Sequence, residues 1–268
     1  MFKKILSAIV ILLISIPIFS IGGELLNVFV YIICSLGLNE FINLKSSRKK
    51  LPLFIKLLSF ISLAFLIFSN ISGETMILSI DYRVLSGIFA LFLIPTILYH
   101  DRSLYSVSDA FYMIGGILFL GISFSLILVI RNYNFYMLIY LFLIGVFTDT
   151  YAFITGNLIG KRKLLESVSP FKTIEGMIGG VLFGTFVPVM YYYTVISSVV
   201  NVWVLVFITL FLSILGCIGD LCFSNIKRYF GKKDYSNLIP GHGGILDRFD
   251  SILFILLGFM FFINIIGG

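Results

Sequence analysis

VSDAFYMIGGILFLGISFSLILVI (residues 107–130) and NFYMLIYLFLIGVFTDTYAFITGN (134–157) stand almost end to end, parted only by Arg131-Asn132-Tyr133. At about 1.5 Å of rise per residue, each is long enough as a helix to cross a hydrocarbon layer about 30 Å thick. Working outward, further apolar runs lie at 5–21, 25–43, 53–70, 84–99, 174–193, 200–220 and 250–266. The pattern predicts an all-α, polytopic membrane bundle of nine spans, because only helices and closed barrels satisfy every backbone group in lipid. The piece 74–83 is broken by Asp81 and Arg83 and reads as a loop of re-entrant kind. The first run follows Lys3 and Lys4, but no A-x-A-like site comes after it and Glu24 leads into another span. An uncleaved first helix is expected.

Composition points the same way. Hydrophobic residues make up 59% of the 268 and charged residues 12%, about half the share of a soluble domain; mean hydropathy is +1.10. Phe alone occurs 29 times, which suits lipid-facing surfaces. Cys34, Cys217 and Cys222 show no CxxC spacing and no His cluster, so inert bundle cysteines are expected. The net charge of +6 is no sign of nucleic acid, and no nucleic-acid partner is expected. Its placement is informative. With nine spans and a cytoplasmic N-terminus, every Lys and Arg except Arg83 and Arg131 falls on the cytoplasmic side, as the positive-inside rule requires. The expectation is N-in, C-out, in the cytoplasmic membrane. Spans within 1–133 form the N-terminal part. Residues 134–268 form a catalytic part whose polar stretches 158–173 and 221–249 face the cytoplasm.

Five acids sit in or against apolar helices: Asp149, Glu175, Asp220, Asp247 and Asp250. An Asp at a membrane-helix centre costs roughly 2.5–3.5 kcal/mol, so a group of them points to a polar, ligand-binding cavity. Asp250 alone could simply cap the last helix. Asp220, Ser224, Lys227 and Arg228 share one helical face if that helix runs on past the membrane, and Asp247, Asp250 and Ser251 share another. Gly156 with Gly160, and the Gly176, Gly180, Gly184 row, read as helix-packing grooves. Carboxylates repel phosphate, so acids beside Lys227, Arg228, Lys233 and Arg248 suggest a divalent cation between carboxylates and phosphates. Pro240-Gly241-His242-Gly243-Gly244 is a Gly-rich turn opening onto a helix N-terminus, where backbone N–H groups favour anions.

Residues 224–250, SNIKRYFGKKDYSNLIPGHGGILDRFD, resemble the signature of the phosphatidate cytidylyltransferase (CDP-diglyceride synthase) family. The matching positions are Ser224, Lys227, Arg228, Lys233, Asp234, Ser236, Pro240, His242, Gly243, Gly244, Asp247, Arg248 and Asp250. A second block, DTYAFITGNLIGKRKLLESVSPFKTIEGMIGG (149–180), is similar at Asp149, Ala152, Gly156, Gly160, Ser169, Pro170, Lys172, Thr173, Glu175 and Gly176. Asn39-Glu40-Phe41 resembles a less specific family E-F. The resemblance covers residues 145–251, the first half matching in topology only. One departure stands out: Phe223 occupies a place where the family commonly has Glu.

The resemblance implies attack by a phosphatidate phosphate oxygen on the α-phosphorus of CTP, with release of pyrophosphate. It implies Mg²⁺, one or two ions, held by Asp220, Asp247 and Asp250. Lys227, Arg228, Lys233 and Arg248 would neutralise phosphates, while His242 with Gly243 and Gly244 shapes the phosphate turn. Ser169, Lys172 and Thr173 are expected on the CTP side, with Ser224 also substrate-binding. CTP, phosphatidic acid and the bilayer are the expected partners, and a homodimer is the assembly carried forward. Two readings stay open. One is a CTP-dependent enzyme for another lipid or polyprenol, although the complete K-R…H-G-G…D-R-x-D run speaks against a kinase. The other is a membrane transporter with acids along its path.

Overall fold

A computed structural model of the chain describes residues 2–69, 81–99, 101–239, 241 and 243–266. Most of the 74–83 loop, together with Pro240 and His242, lies outside these residues. The described chain is helical apart from one short hairpin. Each of the nine apolar runs coincides with a helix or with two consecutive helices. Among the described residues, five helices are long and apolar enough to cross a membrane: Gly23–Ser46, Val107–Tyr133, Phe135–Ile159, Ile174–Ile196 and Val202–Tyr229. The chain is an integral membrane protein by this measure, and Leu53–Phe68 and Tyr82–Leu98 are shorter apolar helices.

The chain forms two compact units. The first comprises Met1–Tyr133 and Phe230–Arg248. It holds α1 (Phe2–Ile21), α2 (Gly23–Ser46), α3 (Leu53–Phe68), α4 (Tyr82–Leu93), α5 (Pro95–Leu98) and α6 (Val107–Tyr133). α2, α3 and α6 pack on one another around buried Leu38, Leu63, Ile117 and Ile127. Arg131 closes α1 by donating to the carbonyls of Phe19 (3.0 Å) and Ser20 (2.8 Å), which the helix itself leaves without partners. Pro95 separates α4 from α5, since it has no N–H to continue the ladder.

The second unit comprises Asn134–Tyr229 and Phe249–Gly268. α7 (Phe135–Ile159) begins where the Asn134 side chain accepts from Tyr136 N (2.9 Å) and Met137 N (3.3 Å), a side-chain N-cap. The 158–173 stretch is an antiparallel hairpin, β1 (Lys163–Leu165) with β2 (Ser169–Thr173), where an all-α reading anticipates a plain loop. α8 (Ile174–Tyr191) presents its glycines to α7. A Cβ on Gly180 would lie 2.5 Å from the Thr148 carbonyl, and one on Gly176 2.8 Å from that of Ala152. Only glycine permits this approach, so the small-residue row is a packing groove. A π-helical turn, Tyr192–Ile196, follows Pro188. α9 (Val202–Tyr229) is hydrogen-bonded to α7 through Thr148 Oγ1 and Ser213 Oγ (2.7 Å) and through Tyr140 Oη and Thr209 Oγ1 (2.7 Å). α10 (Leu246–Phe259) and α11 (Ile263–Ile266) end the chain, with the first three residues of α10 counted in the first unit.

Candidate functional site

In the second unit the site is built on α9. This helix continues through Tyr229 without a break, so Asp220, Ser224 and Lys227 do lie along one face. Ser224 Oγ donates to Asp220 Oδ1 at 3.3 Å. The Lys172 ammonium forms an ion pair with Asp220 Oδ2, putting a β2 side chain on the α9 face. Lys227 and Ser224 are buried, as is Asp250 on α10. The Asp250 carboxylate lies within electrostatic range of Asp220, Asp149 and Lys227. Ser251 donates its hydroxyl to Asp149 Oδ1 at 3.4 Å. Three carboxylates and two ammonium groups therefore share one polar region within an apolar bundle, an arrangement that needs the cations to offset carboxylate repulsion.

Not every expected substrate group is presented to a ligand. Thr173 Oγ1 accepts from Gly176 N at 3.1 Å and caps α8, with the residue buried. Ser169 pairs across the hairpin with Leu165. Arg228 Nε donates to the Val168 carbonyl at 3.2 Å, fastening the hairpin turn to the end of α9. Glu175 accepts from Lys161 N (3.0 Å) and Arg162 N (3.2 Å), closing the same connection. Phe223, where a Glu would match the family, is buried and meets Phe254 edge-on at 6.3 Å. An apolar contact between α9 and α10 replaces an acid there. Cys34, Cys217 and Cys222 are all free thiols.

The other signature residues lie in the first unit, where the organising group is Glu40. Its carboxylate is buried. It accepts from Ser236 Oγ (2.6 Å), Ile245 N (2.8 Å) and Leu246 N (2.9 Å). The N-terminus of α10 does bind an anion, and that anion is the protein's own. Asp247 Oδ2 takes two more backbone donors, Tyr235 N and Gly244 N, both at 2.9 Å. Gly243 adopts φ +83°, which L side chains rarely adopt, and a Cβ on Gly244 would lie 2.5 Å from the Glu40 oxygens. Arg248 and Lys233 are exposed. In the sequence Glu40 stood out only through the less specific E-F resemblance near the end of an apolar run, with nothing to point to its partners.

A further buried cluster escaped the sequence reading. Asp109 on α6 is 2% exposed and pairs with Lys45 Nζ (2.8 Å) and Lys49 Nζ (2.5 Å). It also accepts from the Ser106 amide (2.9 Å) and hydroxyl (2.7 Å). Lys45 on α2 and Lys49 just past its end thus join this segment to α6, beyond any part as positive-inside charges. The available signal was an acid just inside the first turn of an apolar run.

No set of three or more His, Cys, Asp or Glu side chains among the described residues is close enough together to cage a metal ion. The donors nonetheless suit Mg²⁺, which takes oxygen ligands and is commonly held by one or two carboxylates plus substrate phosphates. Lys172 already supplies a positive charge at Asp220.

Buried acids beside two lysines on membrane-spanning helices can bind phosphate through the lysines or through a cation held by the acids. The chain belongs to the cytidylyltransferase family, whose model matches residues 2–266. It is 37% identical over 253 residues to the phosphatidate cytidylyltransferase of Staphylococcus haemolyticus, an overlap of 94% of this chain and 95% of the relative. It is 36% identical over 256 residues to that of Staphylococcus aureus, and 35% over 255 to that of Staphylococcus epidermidis, each with the same coverage. The chain is accordingly a nucleotidyltransferase of the membrane.

Proposed function

We propose that this protein transfers the cytidylyl group of CTP to phosphatidic acid, giving CDP-diacylglycerol and pyrophosphate. The carrying observation is the Asp220–Lys172 pair set beside Asp250, Asp149 and Lys227, in a chain matched over almost its whole length by relatives named for this reaction. A phosphate oxygen of the lipid attacks the α-phosphorus of CTP and forms the new P–O bond. The bond from that phosphorus to the bridging oxygen of the β-phosphate breaks, and pyrophosphate carries away the electron pair. A phosphate monoester has its second pKa near about 6, so the nucleophile is already largely the dianion at neutral pH and needs no general base.

The chain's task is to position and neutralise two polyanions. Asp220 and Asp250 would hold a divalent cation, and Asp149 stands beside them. That cation would supply charge neutralisation at the reacting phosphates. Lys172 and Lys227 neutralise phosphate from α9's polar face. Arg248 and Lys233 are the proposed partners of the remaining phosphate charge. Gly243, Gly244 and Thr173 act by holding the loop and the helix end in place. Segregation of the basic residues supports nine spans in the cytoplasmic membrane, with a cytoplasmic N-terminus and a site facing the nucleotide pool.

The test is direct. Purified protein in detergent, given labelled CTP, phosphatidic acid and Mg²⁺, is expected to yield a chloroform-soluble cytidine nucleotide and pyrophosphate. A label that stays wholly aqueous with phosphatidic acid, or that partitions only with a polyprenyl phosphate, overturns the assignment.

A further inference from the structure

The signature residues Asp234 and Ser236 have no part in the chemistry above, yet they line a cavity. It occupies about 380 Å³ between the end of α2 and the 232–237 loop, walled by Asn43, Ser47, Lys232, Asp234, Ser236 and Asn237. That volume lies in the range of small-ligand pockets. Two of its hydroxyls are already committed. Ser47 Oγ donates to the Leu44 carbonyl at 2.7 Å, and Ser236 Oγ donates to Glu40 at 2.6 Å. The wall also presents the Asp234 carboxylate and the primary amides of Asn43 and Asn237.

A carboxylate in the wall disfavours a phosphate here but suits an amine donor. Cytosine offers an amine at N4 beside two acceptors, N3 and O2. Asp and Glu accept from that amine, and amide N–H groups can serve the acceptors. We infer that this cavity receives the cytosine of CTP, with Asp234 accepting from N4 and the amides of Asn43 and Asn237 donating to N3 and O2. The inference rests on the CTP-using activity proposed above. Uracil puts an acceptor, O4, where cytosine has its amine, and Asp234 repels it. The cavity is also tied to the signature: the N–H of Tyr235, next to Asp234, donates to Asp247 Oδ2 at 2.9 Å. Occupancy by the base thus bears on the placement of Asp247.

The experiment measures kcat/KM for CTP and for UTP at saturating phosphatidic acid, using the full chain in detergent. Asp234→Asn is expected to lower the preference for CTP over UTP by about tenfold or more, since its amide can donate to O4. Asn43→Ala, at an exposed position on α2, is expected to raise KM for CTP while the lipid KM holds. Equilibrium binding of CTP without lipid is expected to weaken in parallel. An unchanged CTP-to-UTP ratio in Asp234→Asn overturns the inference, whether or not both rates fall. Should that variant not fold, an unchanged CTP KM and affinity in Asn43→Ala overturns it alone. Wild-type protein that makes no cytidylyl lipid overturns the parent reading instead, so the two failures are distinguishable.

Discussion

Ser236 gives its hydroxyl hydrogen to Glu40 at 2.6 Å, so a residue of the second helix holds a loop almost two hundred positions away. The same carboxylate holds two amides at the start of α10. Glu40→Ala leaves those donors without their acceptor in a buried place, at a cost of about 1–3 kcal/mol per group. Thermal unfolding in detergent is expected to show a clearly lowered midpoint for Glu40→Ala and a smaller drop for Ser236→Ala. Equal midpoints for wild type and Glu40→Ala would mean that water replaces the carboxylate at no cost.

Asp109 makes the second stability prediction. Removing it by Asp109→Ala leaves Lys45 and Lys49 facing each other beside the place of a buried acid. Breaking a buried pair costs about 3–5 kcal/mol, and the partial exposure of both lysines puts the expectation near the low end. Denaturant titration reads it directly.

For the divalent cation, the expected pattern is loss of activity with chelator and recovery with added Mg²⁺. Asp250→Asn and Asp220→Asn are each expected to lose most turnover while still inserting and folding. Full activity after exhaustive chelation would remove the metal from the mechanism.

Arg248 separates geometry from charge. An anchoring residue needs only a positive charge, whereas a phosphate clamp uses the planar fork of a guanidinium. Arg248→Lys is expected to keep orientation and lower cytidylyl transfer about tenfold, equivalent to roughly 1.4 kcal/mol of transition-state stabilisation. Lys50→Arg is expected to change neither. Wild-type turnover in Arg248→Lys leaves the anchor role alone standing.

Orientation has its own check. Reporter fusions at residue 268 are expected to give an external signal, as nine spans from a cytoplasmic N-terminus require. A cytoplasmic signal means an even number of crossings.

The sequence by itself determined the membrane class, the position of every major helix and the family. Apolar run length and residue spacing are local properties, and a polar motif as dense as 224–250 leaves few alternatives. It also predicted one face for Asp220, Ser224, Lys227 and Arg228 if their helix ran on, and α9 does run on to Tyr229. What only the tertiary structure decided is what each polar group touches. Residues 230–248 group with the first unit, and Glu40 takes the helix N-terminus that spacing reserved for a phosphate. Thr173 turns out to cap α8, and Arg228 to fasten a hairpin that hydropathy does not register. Phe223 faces Phe254, which explains an apolar residue among acids. A carboxylate has the same hydropathy whether it meets a cation, a ligand or a row of backbone amides. The choice among these depends on partners distant in sequence, and folding alone brings them together.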